Sequence, residues 1–516
     1  MLGESAELTR GRLLVRNVGL NMAGWALPAV CALLAIPALV RAMGAERFGL
    51  LAFAWTLVGS FSPFDLGIGR ALTQALSARV GRADEGDSPD IAWGAWWLML
   101  GVGLASGLAL GLAAPALAGR WLHVSPALQG EATRGLTLLA LAVPLTVVTA
   151  GFRGVLEAGQ AFRAVNALRV PLALLTFVGP WAVQPFSHRL PASIAVLVGA
   201  RALICVLHAG VVLRRYPALR HPRPPRAHAL RSLSSVAGWM TVSTLSNPIL
   251  ATGDRLLIGA ALPMAAFARY AAVSEVASKL SVIGAVLQPV LLPALAATLV
   301  AAPRRATMLF DRSVRAAAFA VAPVALVLVA FAPEGLRAWL GADLARGTAP
   351  VLQLLTITWY VNTCAQMPFV TLQSAGRADL PAKFHTIEVP LYLGALWFLV
   401  GRFGLFGAAI AFALRIAFDT LALYGALPLV LPDAVPVLRR ALALTAGGAA
   451  ALAACALTGP LPGRAALAVA LLASFAFAAV RWLVTPDERA LARTWVAGRV
   501  AGRRSAGAAT PAPETA

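Results

Sequence analysis

The sequence predicts an all-α protein that crosses a membrane about fourteen times. The composition is 59% hydrophobic and 13% charged, and the mean hydropathy is +0.78. Apolar segments follow one another almost without interruption, and residues 17–40, 91–117 and 314–332 each approach the roughly 20 residues that cross about 30 Å of hydrocarbon. A backbone in lipid must satisfy its own hydrogen bonds, so segments of this length are predicted to be helices.

The most polar internal stretch predicts how the chain is divided. Residues 214–231 hold six arginines and four prolines; proline stops helices, and arginines mark cytoplasmic loops. We predict two lobes of about six helices each around a central cleft, followed by two extra helices. The predicted units are the N-terminal lobe 1–213, the cytoplasmic linker 214–231, the C-terminal lobe 232–430, the extra spans 431–484 and a disordered cytoplasmic tail 485–516.

A weak internal repeat supports the two lobes. Ala23-Gly24-Trp25 recurs as Ala237-Gly238-Trp239, and Arg41 matches Arg255 at the same spacing. Transporters are often built from such repeats, with the substrate between them.

The net charge of +21 is interpreted as membrane topology rather than as nucleic-acid binding. With the N-terminus inside, about 29 of the 43 basic residues fall in cytoplasmic segments and about 11 in the alternate loops. Both termini are therefore predicted to be cytoplasmic, and no nucleic-acid partner is expected.

Several functional classes are disfavoured by what the sequence lacks. A phosphate-binding loop of an ATPase needs Gly-Lys-Ser/Thr, but the two lysines, Lys279 and Lys383, follow Ser278 and Ala382. The four cysteines and six histidines have no metal-ligand spacing, so we expect no metal or cofactor. A membrane glycosyltransferase, polymerase or ligase usually needs a large external loop, which the hydropathy pattern does not provide. The protein is predicted not to be an enzyme.

Several loop and helix-end motifs resemble one family. The motifs are Met43-Gly44-Ala45-Glu46-Arg47-Phe48-Gly49-Leu50, Asp65-Leu66-Gly67-Ile68-Gly69-Arg70-Ala71, and the run from Gly238-Trp239 through Asn247-Pro248 to Asp254-Arg255. Over about residues 17–426 the chain resembles the polysaccharide (O-antigen) flippases of the multidrug/oligosaccharidyl-lipid/polysaccharide (MOP) superfamily.

The resemblance implies a function and a location. It implies a flippase that moves an undecaprenyl-pyrophosphate-linked oligosaccharide across the bacterial inner membrane, in contact with membrane lipid and other polysaccharide assembly proteins. Many members have twelve spans, so fourteen leaves a lipid II flippase as an alternative. A multidrug exporter of the same superfamily is the other alternative, although the unpaired intramembrane charge here is positive and favours an anionic substrate.

Three basic residues lie well inside apolar segments, where a charge costs about 2.5–3.5 kcal/mol to insert. Lys279 follows Glu275 by one helical turn, and Arg415 precedes Asp419 by one turn, so both are expected either to form local ion pairs or to bind a ligand. Arg201 has only apolar residues and a cysteine one turn away. We predict that its guanidinium binds the substrate pyrophosphate, with an interhelical ion pair as the alternative.

Other polar residues complete the predicted site. In the tenth predicted span, Trp359, Tyr360, Asn362 and Gln366 are expected to meet the sugar. Glu388, one turn after His385, is predicted to be a protonatable coupling group, with a paired helix-end acid as the alternative. Asp65 falls opposite Lys279 under the repeat and is predicted to contact it across the lobes.

Overall fold

The computed structural model describes residues 11–60, 67–80, 88–226, 250 and 252–482. Within these ranges the chain is almost entirely helical and has no β-strand, apart from one isolated bridge between His123 and Pro263. The all-α prediction is confirmed.

The described part of the chain before residue 227 forms eight helices. In order they are α1 (Gly11–Met43), α2 (Ala45–Gly59), α3 (Ile68–Val80), α4 (Ser88–Ala116), α5 (Pro126–Ala140), α6 (Ala142–Ala158), α7 (Phe162–Val183) and α8 (Leu190–Arg215). A π-helical turn, Leu117–Trp121, extends α4, and a short 3-10 turn, Pro217–Leu219, follows α8.

The remaining described chain begins with Leu250 and the helical segment 252–261. After it come α9 (Met264–Ser278), α10 (Ser281–Ala301), α11 (Pro303–Ala330), α12 (Ala332–Leu340), α13 (Ala342–Ala345), α14 (Ala349–Ser374), α15 (Asp379–Ala426), α16 (Val435–Leu457) and α17 (Leu461–Trp482). Two 3-10 turns, Leu427–Leu429 and Pro432–Ala434, join α15 to α16.

Nine helical stretches within the described ranges are long and apolar enough to cross a membrane. They are spread from Ser88 to Ala479, so the protein is a multi-pass membrane protein, as predicted. The number fourteen stays a prediction, because parts of the second and seventh predicted spans lie outside the described residues.

The long helix α15 reverses direction at a single residue. Gly404 has φ 57° and ψ −132°, a conformation that only glycine adopts readily, and the helix resumes at once. Gly407 then packs so closely that a Cβ there would lie 1.9 Å from the carbonyl oxygen of Leu399. The segment is therefore a tight helical hairpin with residues 379–403 in one arm and 405–426 in the other.

Helices in each half of the chain pack mainly with one another. In the first half, α4 packs on α6, α7 packs on α8, and α8 packs on α6. In the second half, α14 is central and contacts α10, α11, α15 and α16, while α16 and α17 pack on α11. The predicted domain boundaries, including the linker and the tail, stay predictions.

The halves meet mainly where α2 packs on α9. The rings of Phe53 and Phe267 contact edge to face with centroids 5.7 Å apart. Nearby, the hydroxyl oxygens of Ser60 and Thr252 lie 3.1 Å apart. Gly49 allows the close approach, since a Cβ there would lie 2.2 Å from the backbone oxygen of Met264.

The first residues of the predicted linker lie against the beginning of α4. Arg223 and Arg226 bind the buried carboxylate of Asp90 at 2.9 and 2.6 Å. The indole N–H groups of Trp93 and Trp97 donate to the carbonyl oxygens of Leu219 and Arg223 at 3.2 and 3.0 Å. The start of α4 and residues 219–226 therefore lie on the same side of the membrane.

The topology prediction can be tested with reporter fusions. Fusions after Arg231 and after Ala516 are expected to give cytoplasmic signals, because six arginines precede the first site and six basic residues lie in 481–504. A fusion after Gly44 serves as the external control. An external signal at Arg231 or Ala516 would contradict the predicted orientation.

Candidate functional site

A cavity of about 170 Å³ lies between the two halves of the bundle. Its wall includes Phe48 and Trp55 of α2 and Phe177 of α7 from the first half, with Arg255 and Glu275 from the second. The ring of Trp55 contacts Phe48 and Phe177 edge to face, with centroid distances of 6.0 and 5.2 Å. An aromatic wall therefore faces a charged wall.

The charged wall belongs to a cluster of two cations around one carboxylate. Glu275 pairs with Lys279 one turn later, which confirms the predicted local ion pair. Arg255, from segment 252–261, approaches the other Glu275 oxygen at 3.9 Å and donates to the Ser274 hydroxyl at 3.2 Å. The three ionised side chains carry one excess positive charge, and their half-buried position strengthens its field.

The neighbouring Asp254 turns away from this cluster. Its carboxylate accepts a hydrogen bond from the buried hydroxyl of Tyr270 at 2.6 Å. Asp254 is buried and is not part of the cavity wall. Of these two adjacent residues, Arg255 therefore lines the cavity, and Asp254 lies behind the cavity wall.

A second cluster joins the two arms of the α15 hairpin. Arg415 donates from Nε to Glu388 at 3.3 Å and from Nη1 to the carbonyl oxygen of Leu250 at 2.8 Å. Its guanidinium lies 5.6 and 5.7 Å from the ring centroids of Tyr392 and Phe412. Both arms of the hairpin and the seventh predicted span therefore meet at this arginine.

The expected local pair of Arg415 with Asp419 is wrong. Asp419 instead lies 3.7 Å from Nε2 of His385, on the opposite arm. The hairpin brings Glu388 across to Arg415. The basic-before-acidic order of Arg415 and Asp419 along one helix is the less favourable order for a local ion pair. Glu388 is therefore paired with an arginine. A paired acid was the alternative to the predicted protonatable coupling group.

The same residues are the candidate cation ligands. His385, Glu388 and Asp419 offer ligand atoms within 4.8 Å of one another. Arg415 already supplies positive charge to Glu388, so a bound cation would have to displace it or tolerate its repulsion. Glu388, Tyr392 and Arg415 also line a cavity of about 140 Å³ with apolar neighbours.

Arg201 lies in α8 and is half-buried. Among the described residues, no carboxylate lies within ion-pair distance of its guanidinium. It is not part of the wall of either cavity described above. Its role as an anion ligand stays a prediction.

The four residues predicted on α14 do not form one surface. Trp359, Asn362 and Gln366 share a face at helical spacing, and Trp359 packs on Phe412 at 5.5 Å while Gln366 packs on Gly284 of α10. Tyr360 is fully buried on another face, where it blocks any side chain at Gly448 of α16. Tyr360 lies about 100° around the helix from Trp359. Because its side chain is fully buried against α16, it is inaccessible to a substrate in this conformation.

The predicted Asp65–Lys279 contact lies outside the described residues. Sequence reasoning did not select Arg255, Phe48, Trp55 or Phe177 for the site. For Arg255 a signal existed, since the repeat aligned it with Arg41 and the family motif ended on it. The three aromatic residues stand in apolar runs where a buried ring is the ordinary expectation.

The sequence and the fold match known proteins. The family described as polysaccharide biosynthesis protein matches residues 14–299. A protein named "Putative O-antigen transporter" from Shigella flexneri is 25% identical over 419 residues, covering 80% of this chain and 96% of that protein.

Two solved structures show the fold class. The lipid II flippase MurJ in an inward closed conformation has a TM-score of 0.69 at 11% identity, covering 90% of this chain and 100% of that one. An inward-facing MATE family multidrug resistance transporter of the MOP superfamily has a TM-score of 0.60 at 15% identity, covering 82% and 98%. The protein has the fold of the MOP superfamily transporters, and the family match, which spans more than half of the chain, places it in the polysaccharide biosynthesis protein family.

Proposed function

We propose that the protein is a flippase that moves a polyprenyl-pyrophosphate-linked oligosaccharide across the bacterial inner membrane. The family and the relative named as an O-antigen transporter support transport in polysaccharide biosynthesis. The observation that carries the substrate class is the cavity between the halves, where aromatic rings face a cluster with excess positive charge.

Each part of the proposed substrate has a matching surface. A pyrophosphate diester carries about two negative charges, and guanidinium and ammonium groups bind its oxygens through charge-assisted hydrogen bonds. Sugar rings have apolar faces that fit Trp55 and Phe177, while their hydroxyls can reach Glu275. The polyprenyl tail stays in lipid between the two halves. Rocking of the halves then exposes the headgroup to each side in turn.

The decisive test is reconstitution of the full chain in proteoliposomes. We expect flipping of a fluorescent undecaprenyl-pyrophosphate oligosaccharide, measured by its accessibility to an impermeant reagent. Lipid II and a cationic drug are tested in parallel. Faster transport of lipid II would identify a lipid II flippase, and transport of the drug alone would identify a multidrug exporter.

Arg201 is expected to contribute to pyrophosphate binding in another state of the cycle. Arg201→Ala should reduce oligosaccharide export severalfold with unchanged protein accumulation, because an unpaired half-buried cation has been removed. Arg201→Lys should restore part of the activity, since it supplies charge without the bidentate geometry. Normal export by Arg201→Ala would contradict the proposed role, and loss of the protein itself would indicate a structural ion pair.

The membrane potential is expected to drive the transport. An inside-negative potential pushes the anionic substrate outward, and two charges moving through about 100 mV gain roughly 4.6 kcal/mol, at about 2.3 kcal/mol per charge. In proteoliposomes, an inside-negative potassium diffusion potential should accelerate outward flipping at constant pH and without sodium. A response to a pH step alone would instead support proton coupling through an acid such as Glu388.

A further inference from the structure

We propose that α12 is a latch that holds the two halves together and that the extra helices α16 and α17 brace it. The outer latch is defined here as α12 with its two contacts, Trp339 to Leu33 and Glu334 to Arg464. The proposal rests on the alternating access assumed for the proposed function. In this proposal the extra helices α16 and α17 influence how readily the cavity opens.

The helix α12 is short and amphipathic. Ala332, Leu336 and Leu340 form its buried face. The helix packs on α11 and α14 of the second half of the bundle. Gly341 ends the helix with φ 86°, which allows the chain to turn directly into α13. Glu334 and Trp339 are thereby held in fixed positions on the remaining surface.

The contact of Trp339 crosses between the two halves. Its indole N–H donates to the carbonyl oxygen of Leu33 in α1 at 2.6 Å. Four residues after Leu33 stands Pro37, which has no N–H, so this carbonyl lacks its normal partner within the helix. Trp339 satisfies an acceptor that the sequence of α1 leaves free, and losing this bond in an apolar environment is costly.

The contact of Glu334 ties α12 to the extra helices. Its carboxylate binds Arg464 of α17 at 2.6 Å, and the Arg464 side chain is only 7% exposed. A buried arginine without its acid is strongly unfavourable, so this pair fixes α12 relative to α17. The helices α16 and α17 also pack on α11. The helix α12 is therefore held both by its own buried face and by the ion pair to α17.

A mechanical consequence follows for transport. When the halves separate at α1 and α12, the Leu33 carbonyl loses the Trp339 donor. The brace from Arg464 prevents α12 from following α1, so that separation breaks the bond rather than moving the helix. The latch therefore lowers the population of the state in which the cavity opens on this side, which the charge distribution predicts to be the outer side.

The test measures opening directly with a single cysteine. In a background in which the four native cysteines are replaced, Thr176→Cys places a thiol in the cavity wall. Intact cells are treated with a membrane-impermeant maleimide. Trp339→Phe keeps the ring and removes the donor, and we expect labelling to rise about 2- to 10-fold, the effect of one hydrogen bond. Glu334→Gln should raise labelling in the same direction.

Asp343→Asn is the matched control. Asp343, on the adjacent α13, pairs with Arg346 immediately after that helix. Both side chains are more than four-fifths exposed, so this change should leave labelling unaltered. The charge exchange Glu334→Arg with Arg464→Glu should return labelling toward the parent value. Unchanged labelling in both Trp339→Phe and Glu334→Gln would refute the latch.

The labelling assay and the transport assay can fail separately. Labelling needs no substrate, so altered labelling together with absent oligosaccharide flipping would support the latch and reject the proposed function. Unaltered labelling in a protein that flips the oligosaccharide would reject the latch alone.

Discussion

Arg255→Ala is expected to reduce oligosaccharide export about 10- to 150-fold, because a hydrogen bond to a charged group contributes about 1.5–3 kcal/mol. The remaining Glu275–Lys279 pair is neutral, so the cavity loses its excess positive charge. The amount of folded protein in the membrane should stay unchanged, because Glu275 keeps Lys279 as its partner. Export is measured as surface polysaccharide and normalised to protein abundance.

Two further substitutions make this result specific. Arg255→Lys should retain intermediate export, because it keeps the charge but loses the planar donor geometry. Arg402→Ala removes an exposed arginine that lies on the Phe398 ring at 5.5 Å, away from the cavity, and should export normally. Equal loss of export in Arg255→Ala and Arg402→Ala would show that total charge, rather than the cavity, matters.

Arg415→Ala is expected to have the largest effect on stability. The substitution leaves Glu388 buried without its cation, and breaking a buried pair costs about 3–5 kcal/mol. The Leu250 carbonyl also loses the donor it has in this structure. We expect a clearly lower unfolding temperature in detergent and reduced accumulation in the membrane.

Removing both partners separates an ion-pair effect from a packing effect. Arg415→Met with Glu388→Gln leaves no unpaired charge and retains side-chain volume, so much of the lost stability should return. His385→Gln is the control on the same hairpin, since it removes the longer contact to Asp419 and the stacking on Phe369 but leaves the Arg415–Glu388 pair in place. An unfolding temperature of Arg415→Ala equal to that of the parent would contradict the importance of the hairpin cluster.

Much of the fold could be predicted because membrane helices are encoded in local hydropathy. The Glu275–Lys279 pair was predictable for the same reason, since both residues lie within one turn of the same segment. The partner of Arg415 was not, because it depends on the reversal at Gly404 that brings Glu388 across from the other arm. The spacing of residues in the sequence suggests ion pairs within one helix. It does not show which residues of a neighbouring helix lie close by.

The cavity between the halves was harder to predict for a related reason. Its wall combines α1, α2, α7, α9 and segment 252–261, and their relative rotation is a property of the whole bundle. Trp359 and Tyr360 illustrate the problem, because they are aromatic residues adjacent in the sequence. Trp359 lies beside Phe412, whereas Tyr360 packs against α16. The sequence suggested residue types suited to a sugar site, but it did not show which of them share a helix face.

The reversal at Gly404 also affects how the chain enters the membrane during synthesis. Glu388 and Arg415 would each cost about 2.5–3.5 kcal/mol to insert alone, yet they lie on the two arms that Gly404 joins. A translocon can therefore release both arms together, with their opposite charges already neutralised. Placed in a host protein with no other membrane span, residues 379–403 alone are expected to insert less efficiently than the complete hairpin 379–426.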